Sequence, residues 1–276
     1  MKYFAPAKIN LSLEIVKRLE NGYHELCMIM QTVSVFDEID IEKDDKISVF
    51  CDKDFVLHNE ENTVFKAAKE FFEFTKKDGG CKISIKKNIP VGAGMGGGSS
   101  DAAEVLIALN NIYKTNLSKE ILCEIAVKIG ADVPFFIEKG CCIAKGIGEK
   151  LTSVKNLLEP YIVIYKPDFS ISTAEAYKNF DFSKKGENKI SKVTEALLTG
   201  NIDLFKKYAF NDFESSLGEK YLKIEKIKNM LKNDGAYSAL MTGSGSAVFG
   251  FFSEKSKAEQ CFKKYDSDKV FLAKFI

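Results

Sequence analysis

Five glycines fall within seven consecutive positions, from Gly92 to Gly98, and they constrain this chain more than any other feature. Glycines lose much backbone entropy when they become ordered, so a folded protein keeps them where a side chain would obstruct a close approach to the backbone. The apolar spacing that follows predicts a helix, with Ser99, Ser100 and Asp101 as its capping residues. Backbone N–H groups at the start of a helix bind anions. The stretch therefore predicts a phosphate-binding loop, against the alternative of a flexible linker.

Two known phosphate-binding motifs fit this stretch poorly. The P-loop motif ends in Gly-Lys-Ser/Thr, and no lysine follows Gly98 here. The dinucleotide-binding spacing G-x-G-x-x-G does occur, at Gly92, Gly94 and Gly97. The predicted strand before it, over 81–87, alternates apolar and polar residues, and no second strand with an acidic residue follows at the required distance. Dinucleotide binding is therefore the weaker alternative.

Composition is that of a soluble globular protein and argues against several function classes. The 276 residues suit one large or two medium domains, and the formal net charge of +1 gives no general attraction to nucleic acid or to an anionic membrane. No apolar run of about 18 residues occurs, and the first residues lead straight into a strand pattern. We therefore expect no membrane span, no signal peptide and a cytoplasmic location. Arg18 is the only arginine, so bound phosphates must be met by lysines and backbone N–H groups.

The cysteines do not predict a metal site. There are seven, and no two have the spacing C-x-x-C. With only two histidines, His24 and His58, they form no recognisable zinc motif, and the metal ligands stay unassigned. Several cysteines have apolar neighbours, which predicts reduced thiols in the core.

The order of predicted elements indicates an α+β protein with two domains. Residues 1–155 begin with strands and continue with helices. Within them, strands are predicted over 32–36 and 38–42, among others, and helices after the capping residues Asn62 and Ser118. Residues 156–276 predict the order strand, helices, strand, strand, helix, strand, which suggests a ferredoxin-like sandwich.

Three segments together resemble the motifs of the GHMP small-molecule kinases. They are Pro6-Ala-Lys-Ile-Asn-Leu11, the glycine loop with its two serines, and Thr242-Gly-Ser-Gly-Ser-Ala247, in the family's order along the chain. The resemblance spans most of the chain and implies a ribosomal-protein-S5-like N-terminal domain and a ferredoxin-like C-terminal domain.

Two further segments place the likeness within one branch of that family. They are Gly22-Tyr23-His24 and Gly130-Ala-Asp-Val-Pro-Phe-Phe136. The branch transfers the γ-phosphate of ATP to the 2-hydroxyl of 4-diphosphocytidyl-2-C-methyl-D-erythritol, a step of the non-mevalonate isoprenoid pathway. Two alternatives stay open: another GHMP kinase, acting on homoserine or mevalonate, and a catalytically silent ligand sensor on the same fold.

The resemblance also implies roles for individual residues. Asp132 would be the base for the substrate hydroxyl, and Lys8 would stabilise the carboxylate and the developing alkoxide. The alternatives are a helix cap for Asp132 and an ordinary strand lysine for Lys8. ATP, with Mg²⁺ on its phosphates, would be held by the glycine loop and two residues before it. The predicted ATP-binding residues are Asn62, Lys87, Pro90, Val91, Gly92, Ala93, Gly94, Met95, Gly96, Gly97, Gly98, Ser99 and Ser100.

The acceptor, the cytidylyl-methylerythritol compound, would be held by aromatic and polar groups. The predicted residues are Asn10, Tyr23, His24, Thr173, Tyr177, Gly243 and Ser244. Stacking of an aromatic ring on a base contributes about 1–3 kcal/mol. Four of the predicted site residues have structural alternatives. Asn62 equally suits the role of a helix cap, and Lys87 that of a solvated lysine in a strand. His24 could be a structural residue of a turn, and Tyr177 an aromatic residue of the core. The expected partner is this small molecule, with no nucleic acid or membrane, and the expected state is a monomer or weak homodimer.

Overall fold

The computed structural model describes residues 1–53, 61–178, 180–184 and 189–276. The chain forms two compact units. Unit 1 comprises Met1–Ala7, Val35–Val91 and Gly96–Lys139, and unit 2 comprises Lys8–Ser34, Gly92–Met95 and Gly140–Ile276. The chain therefore passes from one unit to the other within its first two strands and within the glycine loop. The domain boundary near residue 155 stays a prediction.

The first two strands are long. β1 covers Lys2–Arg18 and β2 covers His24–Asp44, and the two pair with each other. The turn between them contains Gly22, whose φ of 85° lies in the region that favours glycine. The prediction of separate strands over 32–36 and 38–42 is wrong. No glycine or proline interrupts β2 there, so the chain stays extended.

A small sheet in unit 1 is built on the second half of β2. Strand β3 covers Ser48–Cys51 and β4 covers Gly80–Lys86. β4 pairs antiparallel with β2, from Glu38 opposite Lys86 to Asp44 opposite Gly80, and parallel with β3. Alternate residues of β4 are buried, which agrees with the alternation in its sequence.

The helices of unit 1 follow the predicted caps. They are α1 (Thr63–Thr75), α2 (Gly97–Ile112), α3 (Lys119–Ile129) and α4 (Val133–Glu138). Asn62 caps α1, because its Oδ1 accepts the Val64 N–H at 2.8 Å. Ser118 caps α3 in the same way through the Ile121 N–H. α1 and α4 both pack against α2, whose apolar side is buried.

Unit 2 contains two strand assemblies. Strand β5 (Cys141–Gly146) pairs antiparallel with the first half of β2, and β6 (Lys150–Ser153) pairs with β5. The second assembly is a four-stranded antiparallel sheet. Its strands are β7 (Tyr161–Tyr165), β8 (Ser238–Met241), β9 (Val248–Phe252) and β10 (Val270–Ala273), in the order β10–β7–β9–β8. β7 and β9 are the central strands, and each pairs antiparallel with a neighbour on both sides.

The helices of unit 2 complete a ferredoxin-like pattern. They are α5 (Thr173–Lys178), α6 (Ile190–Thr199), α7 (Ile202–Tyr208), α8 (Glu219–Asn233) and α9 (Lys255–Lys264), with 3₁₀ turns at Phe182–Lys184 and Asp212–Ser216. α8 packs on β8 and β9, and α9 packs on β7 and β10. The predicted order of strands and helices is therefore confirmed. Among the described residues, no helix is both long and apolar enough to span a membrane.

All seven cysteines are free thiols, as predicted. Five of them are buried, and burial raises the pKa of Cys81, Cys141 and Cys261 to about 12. Such thiols stay protonated and unreactive near neutral pH. The cysteines therefore serve as small core residues.

Gly80 lies where no side chain fits. A Cβ placed on it would be 2.3 Å from the backbone carbonyl carbon of Lys46. We predict that Gly80→Ala lowers the free energy of unfolding by about 1–3 kcal/mol, because the backbone must shift to relieve the overlap. Gly130→Ala is the matched control, since its φ of 176° suits any residue and its Cβ would meet Val133 at 3.5 Å. Chemical denaturation compares the two variants, and equal stabilities would contradict the prediction.

Candidate active site

Helix α2 begins earlier than its sequence suggested. Gly96 is the N-cap residue, with a φ of 72°, and its successors Gly97 and Gly98 already belong to the helix. The prediction that Ser99, Ser100 and Asp101 cap the helix is wrong, because glycine takes up the left-handed conformation at lower cost. The Ser100 N–H donates to the Gly96 carbonyl at 2.9 Å and closes the first turn. The first N–H groups of a helix have no acceptor within it, so this end of α2 suits an anion, and phosphate binding there stays a prediction.

Two hydroxyl groups fix this helix start within unit 1. Ser100 Oγ donates to the Pro6 carbonyl at 2.6 Å, and Thr63 Oγ1 donates to the Gly98 carbonyl at 3.1 Å. Thr63 is the first residue of α1, so the starts of α1 and α2 lie side by side. Asn62, the cap of α1, is therefore next to the glycine loop. Its role as a helix cap is compatible with the predicted contact with a nucleotide. Its contact with ATP stays a prediction.

Lys87 lies beneath the helix start rather than in solvent. Its Nζ is 2.7 Å from Asp101 Oδ2 and also contacts Asp37, and all three side chains are buried. A Cβ on Gly97 would be 3.1 Å from the same Nζ. The alternative of a solvated strand lysine is therefore wrong. The predicted contact of Lys87 with phosphate stays a prediction, since two carboxylates already share its ammonium group.

This cluster, Lys87–Asp37–Asp101, has more carboxylates than cations. Burial raises the pKa of Asp101 to about 8; Lys87 opposes that rise and Asp37 adds to it. Burial lowers the pKa of Lys87, but the two aspartates outweigh it and the net shift is upward. Among the described residues, Asp101 Oδ1 has no hydrogen-bond partner, so the buried carboxylate is incompletely stabilised as an anion. The cluster therefore ties β4 to the start of α2 and holds a proton near neutral pH.

In unit 2, the first half of the glycine loop lies against the hairpin turn of residues 242–245. A Cβ on Gly94 would be only 2.2 Å from the Thr242 carbonyl oxygen. Thr242 Oγ1 is 3.3 Å from the Gly94 carbonyl oxygen, and the Ala247 N–H donates to the Ala93 carbonyl at 3.1 Å. The turn joins β8 to β9, as predicted, and it also lines the loop. Glycine is required at Gly94 because backbone approaches backbone there.

Lys8 is buried beside both glycine segments, with 4% of its surface exposed. Its N–H donates to the Met95 carbonyl at 3.0 Å, and its Nζ donates to Asn10 Oδ1 at 2.6 Å. A Cβ on Gly243 would be 3.3 Å from that Nζ. The Asn10 N–H in turn donates to Thr242 Oγ1 at 3.0 Å. The ammonium group is therefore held beside the glycine loop rather than in solvent, and the catalytic role of Lys8 stays a prediction.

Asp132 belongs to unit 1 and stands directly before α4. It occupies the N-cap position of α4, as the cap alternative expected, but its side chain makes no capping hydrogen bond. Buried Val133, Phe135 and Phe136 follow it and fix the short helix in the core. Lys139 at the end of α4 pairs with buried Glu104 of α2. Joint action of Asp132 with Lys8 stays a prediction.

Three predicted acceptor residues fall into two groups in unit 2. The rings of His24 and Tyr177 stack with centroids 4.7 Å apart and planes 17° apart, and Phe182 lies 6.0 Å from His24 on nearly parallel planes. Burial, and then Arg18, lower the pKa of His24, which keeps its ring neutral near pH 7. Tyr23 stands apart from this stack and is 61% exposed. His24 and Tyr177 thus form an aromatic platform suited to a nucleobase.

The remaining polar candidates also meet. Thr173 Oγ1 lies 3.0 Å from Ser244 Oγ, which places the start of α5 at the 242–245 turn. Sequence reasoning missed Phe182, Asn211 and Phe213, since single aromatic and amide residues carry no local signal of a site. Among the described residues, no group of three or more His, Cys, Asp or Glu could hold a metal ion.

Comparison with known proteins places this site in a family. The family model for the GHMP kinases N terminal domain matches residues 62–140, and that for the GHMP kinases C terminal matches residues 193–269. The chain belongs to the GHMP kinase family. A relative from Clostridium perfringens (strain 13 / Type A), named 4-diphosphocytidyl-2-C-methyl-D-erythritol kinase, is 42% identical to this GHMP kinase over 100% of the chain and 98% of the relative.

Solved structures agree with this assignment. The crystal structure of a 4-(cytidine 5'-diphospho)-2C-methyl-D-erythritol kinase is similar with a TM-score of 0.86 and 30% identity, over 100% of this chain and 99% of that one. A homoserine kinase from Cytophaga hutchinsonii has a TM-score of 0.79 but only 17% identity, over 99% of this chain and 94% of that one. At 17% identity the likeness shows the fold alone. The predicted GHMP kinase fold and the prediction of a small-molecule kinase are confirmed.

The Lys87–Asp37–Asp101 cluster predicts a pH dependence of stability. The pKa of Asp101 is about 8 in the native state, against an ordinary 3.8, so the native GHMP kinase binds the proton more tightly than the unfolded chain. Its stability should therefore fall as pH rises from about 5 to about 8, by at most about 1.4 kcal/mol per pH unit from this group. Asp101→Asn should remove that slope. Urea denaturation at several pH values measures it.

The exposed Asp203 supplies the control for this measurement. Asp203→Asn removes a carboxylate of α7 without touching the cluster, so its slope should match that of the unchanged protein. A slope that survives in Asp101→Asn would show that another group carries the proton.

Proposed function

We propose that this GHMP kinase transfers the γ-phosphoryl group of ATP to the 2-hydroxyl of 4-diphosphocytidyl-2-C-methyl-D-erythritol. The observation that carries the proposal is the His24–Tyr177 platform, which lies in the same unit as Lys8 and the 242–245 turn. A stacked aromatic platform suits an acceptor that carries a cytosine ring. Homoserine and mevalonate have no ring to stack there. The full-length likeness to a relative of that name supports the same choice.

The donor would be bound by the glycine loop. The free N–H groups at the start of α2 and the glycine backbone from Gly92 onwards are suited to the phosphates of ATP. Mg²⁺ would be carried mainly by those phosphates and by water, as is usual for this cation. Pro90, Val91 and Asn62 would contribute contacts to the rest of the nucleotide.

The transfer needs a base and a cation. We propose that the Asp132 carboxylate accepts the proton of the 2-hydroxyl while the hydroxyl oxygen forms a bond to the γ-phosphorus. The bond from that phosphorus to the β–γ bridging oxygen breaks, and ADP leaves with its electron pair. Lys8 would stabilise the negative charge on the transferred group, because its ammonium is already held at the loop by Asn10.

The acceptor would lie along unit 2. Its cytosine would stack at His24 and Tyr177, with Tyr23 closing the exposed side. Its methylerythritol end would meet Asn10, Thr173 and the backbone of Gly243 and Ser244. The Thr173–Ser244 contact supports this, since both hydroxyls point to one place. A cytoplasmic location and a monomer or weak homodimer remain part of the proposal.

Two other functions fit less well. Homoserine kinase shares the fold, but its likeness to this chain is at 17% identity. A silent ligand sensor would not need a buried lysine at the phosphate loop, whereas Lys8 is held there by Asn10 and Met95. The observations therefore favour a catalyst with a nucleotide-containing acceptor.

A substrate panel tests the proposal. ATP consumption is measured with the cytidylyl-methylerythritol compound, with homoserine and with mevalonate at equal concentrations. We expect turnover with the first and none above background with the other two. Turnover with homoserine or mevalonate alone would overturn the proposed acceptor, and binding of the cytidylyl compound without any turnover would favour the sensor.

Replacement of Asp132 tests the proposed base. We predict that Asp132→Asn lowers kcat by about 10²-fold or more, because an amide cannot accept the proton, while the Kd for ATP changes less than about threefold. Asp203→Asn is the matched control and should leave kcat unchanged. Single-turnover kinetics and calorimetric ATP binding measure the two quantities. A near-normal kcat in Asp132→Asn would remove the assignment.

A further inference from the structure

A short stretch between α7 and α8, which we call the 210–214 segment (residues 210–214), contacts β1, the end of β8, the 242–245 turn and Tyr177 in unit 2. It has no glycine-rich or charged motif and was not a predicted site. It enters the 3₁₀ turn Asp212–Ser216, and Asn211 caps that turn because its Oδ1 accepts the Phe213 N–H at 3.1 Å. Its five residues reach three parts of the unit: strand β1, the end of β8 with the turn that follows it, and the ring of Tyr177.

Asn211 holds the 242–245 turn directly. Its Nδ2 donates to the carbonyl oxygens of Met241 and Gly243, each at 2.8 Å. The orientation of the amide follows from chemistry, since carbonyl groups only accept hydrogen bonds and the Oδ1 is occupied by an N–H. The side chain is buried, so no water replaces these bonds at low cost. One amide group therefore bridges the turn that bears Thr242 and Ser244.

Glu214 fixes the end of β8, directly before the 242–245 turn. Its Oε1 accepts the Met241 N–H at 2.8 Å, and its Oε2 is 2.5 Å from Lys228 Nζ of α8. Met241 is thus held at both its N–H and its carbonyl group by one segment. The chain is therefore held at Met241, directly before the residues of the turn that contact the glycine loop.

The same segment holds β1, the strand that carries Lys8 and Asn10. The Ile15 N–H donates to Asp212 Oδ2 at 2.9 Å, and the Leu13 N–H donates to the Phe210 carbonyl at 3.0 Å. These bonds lie further along β1 than Lys8. They fix the position of β1 along its own axis relative to the 242–245 turn, to which β1 is also bound by the hydrogen bond between Asn10 and Thr242.

Phe213 supports the aromatic platform. Its ring meets that of Tyr177 edge to face, with centroids 4.9 Å apart and planes 76° apart. Phe213 is 2% exposed, whereas Tyr177 is half-buried and also stacks on His24. Buried Phe213 therefore restricts where the ring of Tyr177 can lie.

We propose that the 210–214 segment positions two separable parts of the acceptor site: Asn211 sets the phosphoryl-transfer turn, and Phe213 sets the nucleobase platform. The proposal rests on the proposed function for the identity of the acceptor. The contacts of Asn211 and Phe213 are observed in the structure and do not depend on that function. Neither residue touches the reacting atoms in this scheme. Both act through the residues that they hold.

The two roles give opposite kinetic signatures. Asn211→Asp keeps the shape but turns two donated bonds into repulsion between oxygens, and Asn211→Ala removes them without adding charge. Both should lower kcat about tenfold to 10²-fold, with KM for ATP and for the acceptor within about threefold. Phe213→Leu should raise KM for the cytidylyl acceptor about tenfold, with kcat and KM for ATP within about twofold.

Matched controls come from the same unit. Asn201→Asp changes another capping asparagine, which accepts the Leu204 N–H at 2.9 Å at the start of α7. Phe205→Leu changes another fully buried phenylalanine, which stacks on Phe251. Both controls can lose stability but should keep kcat and both KM values. Loss of activity in the controls equal to that in the test variants would reduce the segment to a purely structural role and overturn the proposal.

Hydrogen exchange supplies a readout that needs no substrate. Amides of residues 238–252 should exchange at least about tenfold faster in Asn211→Asp and Asn211→Ala than in the unchanged protein, because the turn has lost its clamp. They should be unchanged in Phe213→Leu and in both controls. Unchanged exchange in the two Asn211 variants would overturn the role of Asn211, whatever the kinetics.

The two proposals fail in different ways. If the unchanged protein does not phosphorylate the cytidylyl acceptor, the proposed function falls and the role of Phe213 falls with it, while exchange still decides the role of Asn211. If the unchanged protein is active but Phe213→Leu raises both KM values equally, only the platform role of Phe213 is overturned.

Discussion

The close approach of two backbone segments, at Gly94 and Thr242, is the constraint on which the site in unit 2 depends. A side chain on Gly94 would overlap the Thr242 carbonyl oxygen, so the contact requires glycine at position 94. Because the segments touch, the buried ammonium of Lys8 can lie beside both, held by Asn10. Charge and backbone dipoles are thereby brought together without an arginine, which suits a chain whose single arginine lies elsewhere.

Buried charge is handled differently in unit 1. The Lys87–Asp37–Asp101 cluster stabilises the helix start by pairing one cation with two carboxylates, one of which holds a proton near neutral pH. Removing the lysine from such a cluster would leave an uncompensated carboxylate, and breaking a buried pair in this way costs about 3–5 kcal/mol. Lys87, which the sequence analysis predicted as a phosphate ligand, thus has a structural role in this cluster. In the proposed function, the phosphates are bound chiefly by backbone N–H groups at the start of α2.

A kinase with a large acceptor must hold two distant ends of it, and the 210–214 segment offers a physical means. Asn211 and Phe213 are two residues apart, yet one holds a glycine turn and the other an aromatic ring. Their side chains leave the 3₁₀ turn in different directions, so one short stretch fixes the spacing between turn and platform. The spacing is thereby set by hydrogen bonds and ring contacts within unit 2, independently of any ligand.

Local sequence determined a good part of this protein. Helix caps at Asn62 and Ser118, the turn at Gly22, the hairpin at residues 242–245 and the order of strands and helices along unit 2 all follow from short-range preferences. The start of α2 was predicted wrongly, because Gly96 takes up the left-handed conformation before the serines are reached. The unbroken β2 was predicted wrongly too, because no glycine or proline interrupts the extended chain there. Only the tertiary structure decided that Lys87 is buried, that His24 stacks on Tyr177 and that Asn211 bridges the 242–245 turn. Each of these depends on residues more than 25 positions apart, whose approach no local pattern encodes.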